Sequence, residues 1–211
     1  MRGIASTVSQ TDVKSSKAWG LVVAGYSVAA VGLVAFLTIN GASGIPTVAM
    51  IGTAGLLAIG LLLPAAGMLQ LRRGLNPSQS AARYGFAMQG LGLVGIFFCA
   101  VTVFVASSLS GYLVSAVLIL ASGALAMVGA VFLRRHYAGS GASNARNIGY
   151  FVIGTALIFS GVGLIVGSNM ALYSFLISQV ENTVYVDMGA TVSASGCVVA
   201  AYSFFVLHNS T

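Results

Sequence analysis

Two polar residues stand out within the long apolar runs of this sequence. Gln89 lies inside one run, and Asp187 stands at the start of the last run. A strongly polar or ionisable side chain within a membrane is costly, which makes it a candidate functional residue. Gln89 fits either the wall of a polar cavity or a hydrogen bond across a helix interface. Asp187 fits either a charged site within the outer leaflet or an acid stabilised by the dipole at a helix N-terminus.

The other residues capable of chemistry do not combine into a known type of site. His136 and His208 follow apolar runs, where a histidine is stabilised by the C-terminal dipole of a helix. Cys99 and Cys197 lie within apolar runs, and a buried cysteine usually acts as a small hydrophobic residue. The sequence has no phosphate loop, zinc-ligand spacing, catalytic triad or pair of carboxylates. We therefore expect a non-catalytic protein without a metal or cofactor.

The composition places these residues in a membrane protein. Of the 211 residues, 58% are hydrophobic and only 6% are charged, whereas a soluble domain has about 25% charged residues. So few charges cannot cover a surface that faces water, and lipid is the alternative. The net charge of +6 arises from single or paired basic residues rather than from a basic patch, which excludes a nucleic-acid partner.

Six apolar segments are long enough to cross a bilayer, which takes about 20 residues of helix. Their continuous hydrophobicity excludes transmembrane strands, in which apolar and polar residues alternate. The sequence therefore predicts an all-α fold: a six-helix transmembrane bundle at residues 19–207, with terminal segments at residues 1–18 and 208–211. The predicted spans are residues 19–39, 47–71, 84–107, 112–133, 148–166 and 186–207.

The longest predicted connection, residues 168–185, mixes apolar and polar residues. We interpret it as an interfacial segment, such as a short helix lying on the membrane. The alternative is a fifth helix that continues out of the bilayer. The limits of this connection decide whether Asp187 lies in water or in the membrane.

The basic residues indicate how the spans are oriented. All nine Lys and Arg residues fall on one side of the six spans, and the positive-inside rule places that side and both termini in the cytoplasm. We expect a plasma or inner membrane location. The mitochondrial inner membrane is the alternative, because residues 1–17 resemble a short presequence, although Asp12 argues against one. The basic residues are Arg2, Lys14, Lys17, Arg72, Arg73, Arg83, Arg134, Arg135 and Arg146.

The chain also shows internal repetition. The triplet Leu-Arg-Arg at positions 71–73 recurs at positions 133–135, and Gly67 and Gly92 have counterparts at the same offset in Gly129 and Gly154. This pattern indicates three tandem helical hairpins that arose by duplication. The alternative is that basic residues end any helix that faces the cytoplasm.

Five of the six spans contain two glycines seven residues apart. Two turns of helix put both glycines of a pair on one face, where small residues let membrane helices approach closely. We therefore expect glycine-rich helix packing in a compact bundle. The pairs are Gly25 and Gly32, Gly60 and Gly67, Gly85 and Gly92, Gly154 and Gly161, and Gly189 and Gly196.

Two hypotheses of function follow. The first is an accessory or scaffold subunit of a larger membrane complex, whose partners are membrane lipids and other membrane subunits. The second is a small permease or channel for a neutral or weakly polar solute, favoured by Gln89 and by Pro64, which is expected to kink the second helix. Two basic pairs would contact lipid headgroups or an acidic partner protein: Arg72 and Arg73, and Arg134 and Arg135.

Overall fold

The chain folds into six long helices. The computed structural model describes residues 4–40, 47–105, 108–138 and 142–210, and within these ranges it contains no strand. All six helices are long and apolar enough to cross a membrane, which confirms the predicted all-α, six-helix membrane bundle. The helices are α1 (Ile4–Ile39), α2 (Thr47–Gly74), α3 (Ser80–Val105), α4 (Leu109–Ala138), α5 (Ala142–Tyr173) and α6 (Gln179–Ser210).

The helices form a closed ring of three hairpins. The most extensive contacts join α1 to α2, α3 to α4 and α5 to α6. Smaller contacts join α2 to α3 and α4 to α5, and α1 packs against α6 to close the ring. One end of the ring, which we call the basic end, has Arg72 and Arg73 in the last turn of α2 and Arg135 in the last turn of α4.

Glycines lie where the two helices of a hairpin meet. A Cβ atom at Gly154 would lie 2.8 Å from the carbonyl oxygen of Gly196, and one at Gly196 would lie 2.7 Å from the carbonyl oxygen of Gly154. Real Cβ atoms do not approach backbone this closely, so only glycine allows the helices to come together here. All five glycine pairs noted in the sequence face the partner helix of their own hairpin. In α1, Gly25 receives the ring of Pro64 from α2.

The connection between α5 and α6 is much shorter than the sequence suggested. The prediction of an interfacial segment at residues 168–185 is wrong, because α5 continues to Tyr173 and α6 already begins at Gln179. The end of α5 is closed by a Schellman arrangement, in which the Leu176 N–H donates to Ala171 O and the Phe175 N–H donates to Leu172 O. Phe175 takes the left-handed position, with φ 56°.

The start of α6 is fixed by a capping box. The Ser178 hydroxyl accepts a hydrogen bond from the Glu181 N–H at 3.2 Å, and the Glu181 carboxylate accepts one from the Ser178 N–H at 2.7 Å. This reciprocal pair satisfies backbone donors that a helix start leaves unpaired. The helix therefore begins two turns before Asp187 rather than beside it.

Other helix boundaries also differ from the predicted spans. The first helix begins at Ile4, within the segment assigned to the N-terminal tail, and α4 begins at Leu109 rather than Tyr112. The break between the second and third predicted spans is confirmed, because residues 75–79 separate α2 from α3. The interval between the first and second predicted spans, residues 40–46, lies outside the described residues except for Asn40. Residues 106–107 and 139–141 also lie outside the described residues.

Aromatic side chains fill the bundle near the basic end. The Phe204 ring of α6 lies at the centre of this aromatic cluster, with ring centroids 4.7 Å from Phe151 and 5.2 Å from Trp19. Tyr26 and Phe86 each lie 6.5 Å from it. Because α1, α3, α5 and α6 all contribute rings, the cluster closes the centre of the ring of helices.

Candidate functional site: a cavity at the end opposite the basic residues

A cavity of about 420 Å³ occupies the bundle on the other side of the aromatic cluster. All six helices contribute to its wall, so it lies on the axis of the ring rather than between two neighbours. On α1 the wall extends from Ala29 to Asn40, roughly 16 Å along the helix axis at 1.5 Å per residue. Its inner part is lined mainly by apolar side chains, among them Ala29, Leu61, Ile96, Ile158 and Cys197.

The outer part of the cavity is lined by carboxamides. Asn40 follows the last residue of α1, Asn169 lies one turn before the end of α5, and Asn182 lies in the first turn of α6. Gln179, the exposed first residue of α6, joins them. The helix ends therefore place four neutral amide groups at the mouth of the cavity.

An aromatic residue and a hydroxyl complete the polar lining. Tyr112, in the first turn of α4, is buried, and its ring centroid lies 4.9 Å from that of Tyr173 at the end of α5. Deeper in the cavity the Ser193 hydroxyl donates to Ile158 O at 3.2 Å, which joins α6 to α5. None of the described lining residues carries a charge at neutral pH.

Asp187 lies beside the cavity rather than in its wall. It is partly buried, two turns into α6, and its Oδ1 accepts a hydrogen bond from Asn40 Nδ2 at 2.7 Å. This contact places the acid at the level where α1 ends. Asp187 thus reaches the cavity indirectly, because Asn40 is a lining residue.

Gln89 lies away from the cavity wall. It is fully buried in α3, and its Nε2 donates to Ala126 O in α4 at 2.6 Å. Among the described residues, Gln89 Oε1 has no hydrogen-bond partner. The structure therefore brings Asp187 close to the cavity and gives Gln89 a contact across the α3–α4 interface.

The basic pairs lie at the other end of the molecule. Arg72, Arg73, Arg134 and Arg135 are exposed around the basic end. In the described part of the chain, no three His, Cys, Asp or Glu side chains lie close enough together to hold a metal ion. The cavity and the four arginines are therefore separate features at opposite ends of the bundle.

The asparagines at the mouth are the residues that sequence reasoning missed. The three residues lie in segments that were interpreted as connections: Asn40, Asn169 and Asn182. Polar residues are common in connections and do not indicate a functional site there. The spacing of Ser178 and Glu181 fits a capping box, and this signal could have placed Asn182 inside α6. Once in the helix, Asn182 lies a little over one turn before Asp187.

The arrangement has the general form of a binding site for a neutral molecule. An apolar chamber with a few polar groups at one end is the usual form of a small-molecule site, and its volume falls in the typical range of about 300–1,000 Å³. Comparison of the chain with protein-family models, curated proteins and solved structures found no match.

Proposed function

We propose that this protein is a small permease for neutral, weakly polar solutes and that the cavity is its binding site. The observation that carries the proposal is the uncharged cavity on the axis of the ring, with carboxamides at one end. A neutral solute loses little hydration free energy in an apolar chamber if the mouth satisfies its polar group. An ion would find no charged side chain among the described residues of the cavity wall.

The one-sided form of the cavity supports a transport role. A carrier exposes its site to one side of the membrane at a time. Here the cavity reaches Gln179 at one end of the bundle, while the aromatic cluster closes the path toward the basic end. Each hairpin is internally tight and packs less extensively on its neighbours, which suits hairpins that shift as rigid bodies.

The proposed orientation follows from the basic residues. Arginines concentrate at the cytoplasmic side of membrane proteins, so the basic end would face the cytoplasm in a plasma or inner membrane. The cavity would then open to the outside. This state would accept a solute from outside the cell.

Solute flux into proteoliposomes tests the proposal. Stopped-flow light scattering would compare the permeability of liposomes to butyramide with and without the protein, and sodium butyrate serves as the charged counterpart. We expect faster butyramide entry with the protein and no change for butyrate. The substitution Ala100→Phe, at a lining position of α3, should abolish the gain because the new ring occupies the cavity.

The matched control places the same ring outside the bundle. Ala124 of α4 is exposed on the lipid-facing surface, so Ala124→Phe should leave butyramide entry unchanged. Two results would contradict the proposal. Liposomes that contain the wild-type protein could be no more permeable to butyramide than empty liposomes, or Ala100→Phe and Ala124→Phe could reduce butyramide entry equally.

An accessory-subunit role is the second candidate, and one observation favours it. Gly163 and Gly167 form a GxxxG spacing on α5, and a Cβ at either position would meet no atom of the described residues within 4 Å. Such a small-residue pair is a common contact between membrane helices. Native mass spectrometry after gentle solubilisation tests this role: a hetero-complex lost on Gly163→Leu supports it, and a monomer contradicts it.

A further inference from the structure

Two of the carboxamides at the mouth already use their N–H groups within the protein. Asn40 Nδ2 donates to the Asp187 carboxylate at 2.7 Å, and Asn169 Nδ2 donates to Ile165 O at 2.8 Å. A carboxylate and a backbone carbonyl can only accept hydrogen bonds, so the amide nitrogens must face them. The side-chain carbonyl oxygens of Asn40 and Asn169 make no hydrogen bond to another described residue.

Asn182 has a buried acceptor that has no partner among the described residues. The residue lines the cavity and is only 6% exposed. Its Oδ1 is shielded from solvent and finds no hydrogen-bond donor among the described residues. A buried carbonyl in this condition costs free energy unless a donor reaches it.

The mouth therefore presents hydrogen-bond acceptors that lack donors among the described residues. We infer that the cavity recognises a hydrogen-bond donor on a neutral solute, with Asn182 as the specificity-determining residue. The inference rests on the proposed function, since it assigns the substrate class of that same cavity. The solute carries a primary amide or hydroxyl at the mouth and an apolar part that points toward Ile158 and Cys197. The volume admits on the order of ten to fifteen non-hydrogen atoms, at about 30 Å³ per water-sized group.

The same lining argues against a charged donor such as an ammonium group. A cation in an apolar chamber needs a compensating negative charge. Of the two acids whose side chains are described, Asp187 accepts a hydrogen bond from Asn40 and Glu181 accepts two from Ser178, and neither lies in the cavity wall. Carbonyl oxygens without an acid in the wall therefore select for neutral N–H and O–H groups.

A pair of isosteric probes isolates the donor. Hexanamide and 2-heptanone have the same shape and the same carbonyl, but only hexanamide carries N–H groups. Ligand-observed NMR titration of the full chain in lipid nanodiscs would give both dissociation constants. Nanodiscs with the Ala100→Phe variant provide the reference for partition into lipid. We expect hexanamide to bind about five- to tenfold more tightly than 2-heptanone, the effect of one hydrogen bond to a buried carbonyl.

Two substitutions at Asn182 complete the test. Asn182→Leu keeps the size of the side chain but removes the acceptor, so both probes should bind with equal affinity. Asn182→Asp adds a negative charge, so hexylammonium, which the wild type should reject, should bind more tightly than hexanamide. This reversal is a gain that a folding defect could not produce.

The outcomes separate the inference from the proposed function. Equal wild-type affinity for hexanamide and 2-heptanone, with both blocked by Ala100→Phe, overturns the inference and leaves the proposed binding cavity intact. Wild-type preference for hexylammonium also overturns it. If neither probe binds above the Ala100→Phe reference, the proposed function and the inference fail together.

Discussion

The two halves of this bundle are built from the same six helices but are filled differently. Toward the basic end, rings from α1, α3, α5 and α6 surround Phe204, with centroids 4.7–6.5 Å from it. Toward the opposite end, side chains from all six helices line a cavity.

The two halves also differ in what joins neighbouring helices. In the hollow half, polar contacts bridge them: Asn40 bonds Asp187 across α1 and α6, and Thr102 bonds Ser115 across α3 and α4 at 2.8 Å. In the solid half, the rings around Phe204 supply most of the packing described above, and one buried hydrogen bond, from Gln89 Nε2 to Ala126 O, joins α3 to α4. Dense packing resists deformation, whereas a few hydrogen bonds can exchange partners. We therefore expect the hollow half to deform more easily than the solid half.

Removing the central ring should have the largest effect. Phe204→Ala eliminates contacts to four aromatic rings and leaves a void, so we expect a loss of about 3–5 kcal/mol in the free energy of unfolding. The neighbouring Phe205 is 54% exposed on the outer surface and provides the control. Phe205→Ala should cost less than about 1 kcal/mol. Denaturant unfolding in mixed micelles would measure both, and equal losses would show that the aromatic cluster does not hold the solid half.

In the hairpin of α5 and α6, glycine contacts lie beside the cavity. Substitutions there test whether the hollow half depends on close approach of the two helix backbones. A Cβ at Gly161 would meet Gly189 O and the Ser193 side chain, so Gly161→Ala should cost about 1–3 kcal/mol through overpacking. At Gly163 a Cβ would meet no described atom within 4 Å, and Gly163→Ala should be neutral or slightly stabilising. Thermal unfolding of the two variants checks the difference, and identical midpoints would refute it.

The sequence was sufficient for the spans but not for the cavity. Hydropathy identifies helices because each must cover its own backbone in lipid, and that requirement is local. The start of α6 was misplaced because Glu181 and Asn182 were interpreted as parts of a polar connection, whereas the bond between Ser178 and Glu181 starts a helix there. The cavity depends on how side chains from six helices meet, and no spacing within one helix reveals it.

The contact between Asn40 and Asp187 should make a smaller contribution to the hollow half. Asn40→Ala removes the hydrogen bond that links the end of α1 to α6, and we expect a loss of about 1 kcal/mol because both residues are partly exposed. Thr38→Ala is the control, since the Thr38 hydroxyl donates to Ala35 O within its own helix. Denaturant unfolding would show a loss for Asn40→Ala alone, and an equal effect of the two changes would exclude a role for the contact.

The smallest effect concerns the connection between α5 and α6, at the open end of the hollow half. There a substitution should stabilise the protein. Phe175 is 95% exposed and holds a left-handed backbone with φ 56°, a conformation that costs an L-residue other than glycine about 1–2 kcal/mol. Phe175→Gly relieves this strain but adds freedom to the unfolded chain, so the net gain should be about 0.5–1 kcal/mol. Leu176 is the matched control: it is also exposed and its φ is not positive, so Leu176→Gly should lose about the same amount. Opposite shifts of the thermal unfolding midpoint would locate the strain at Phe175, whereas a loss in both variants would mean that exposed apolar contacts outweigh backbone geometry at this end of the bundle.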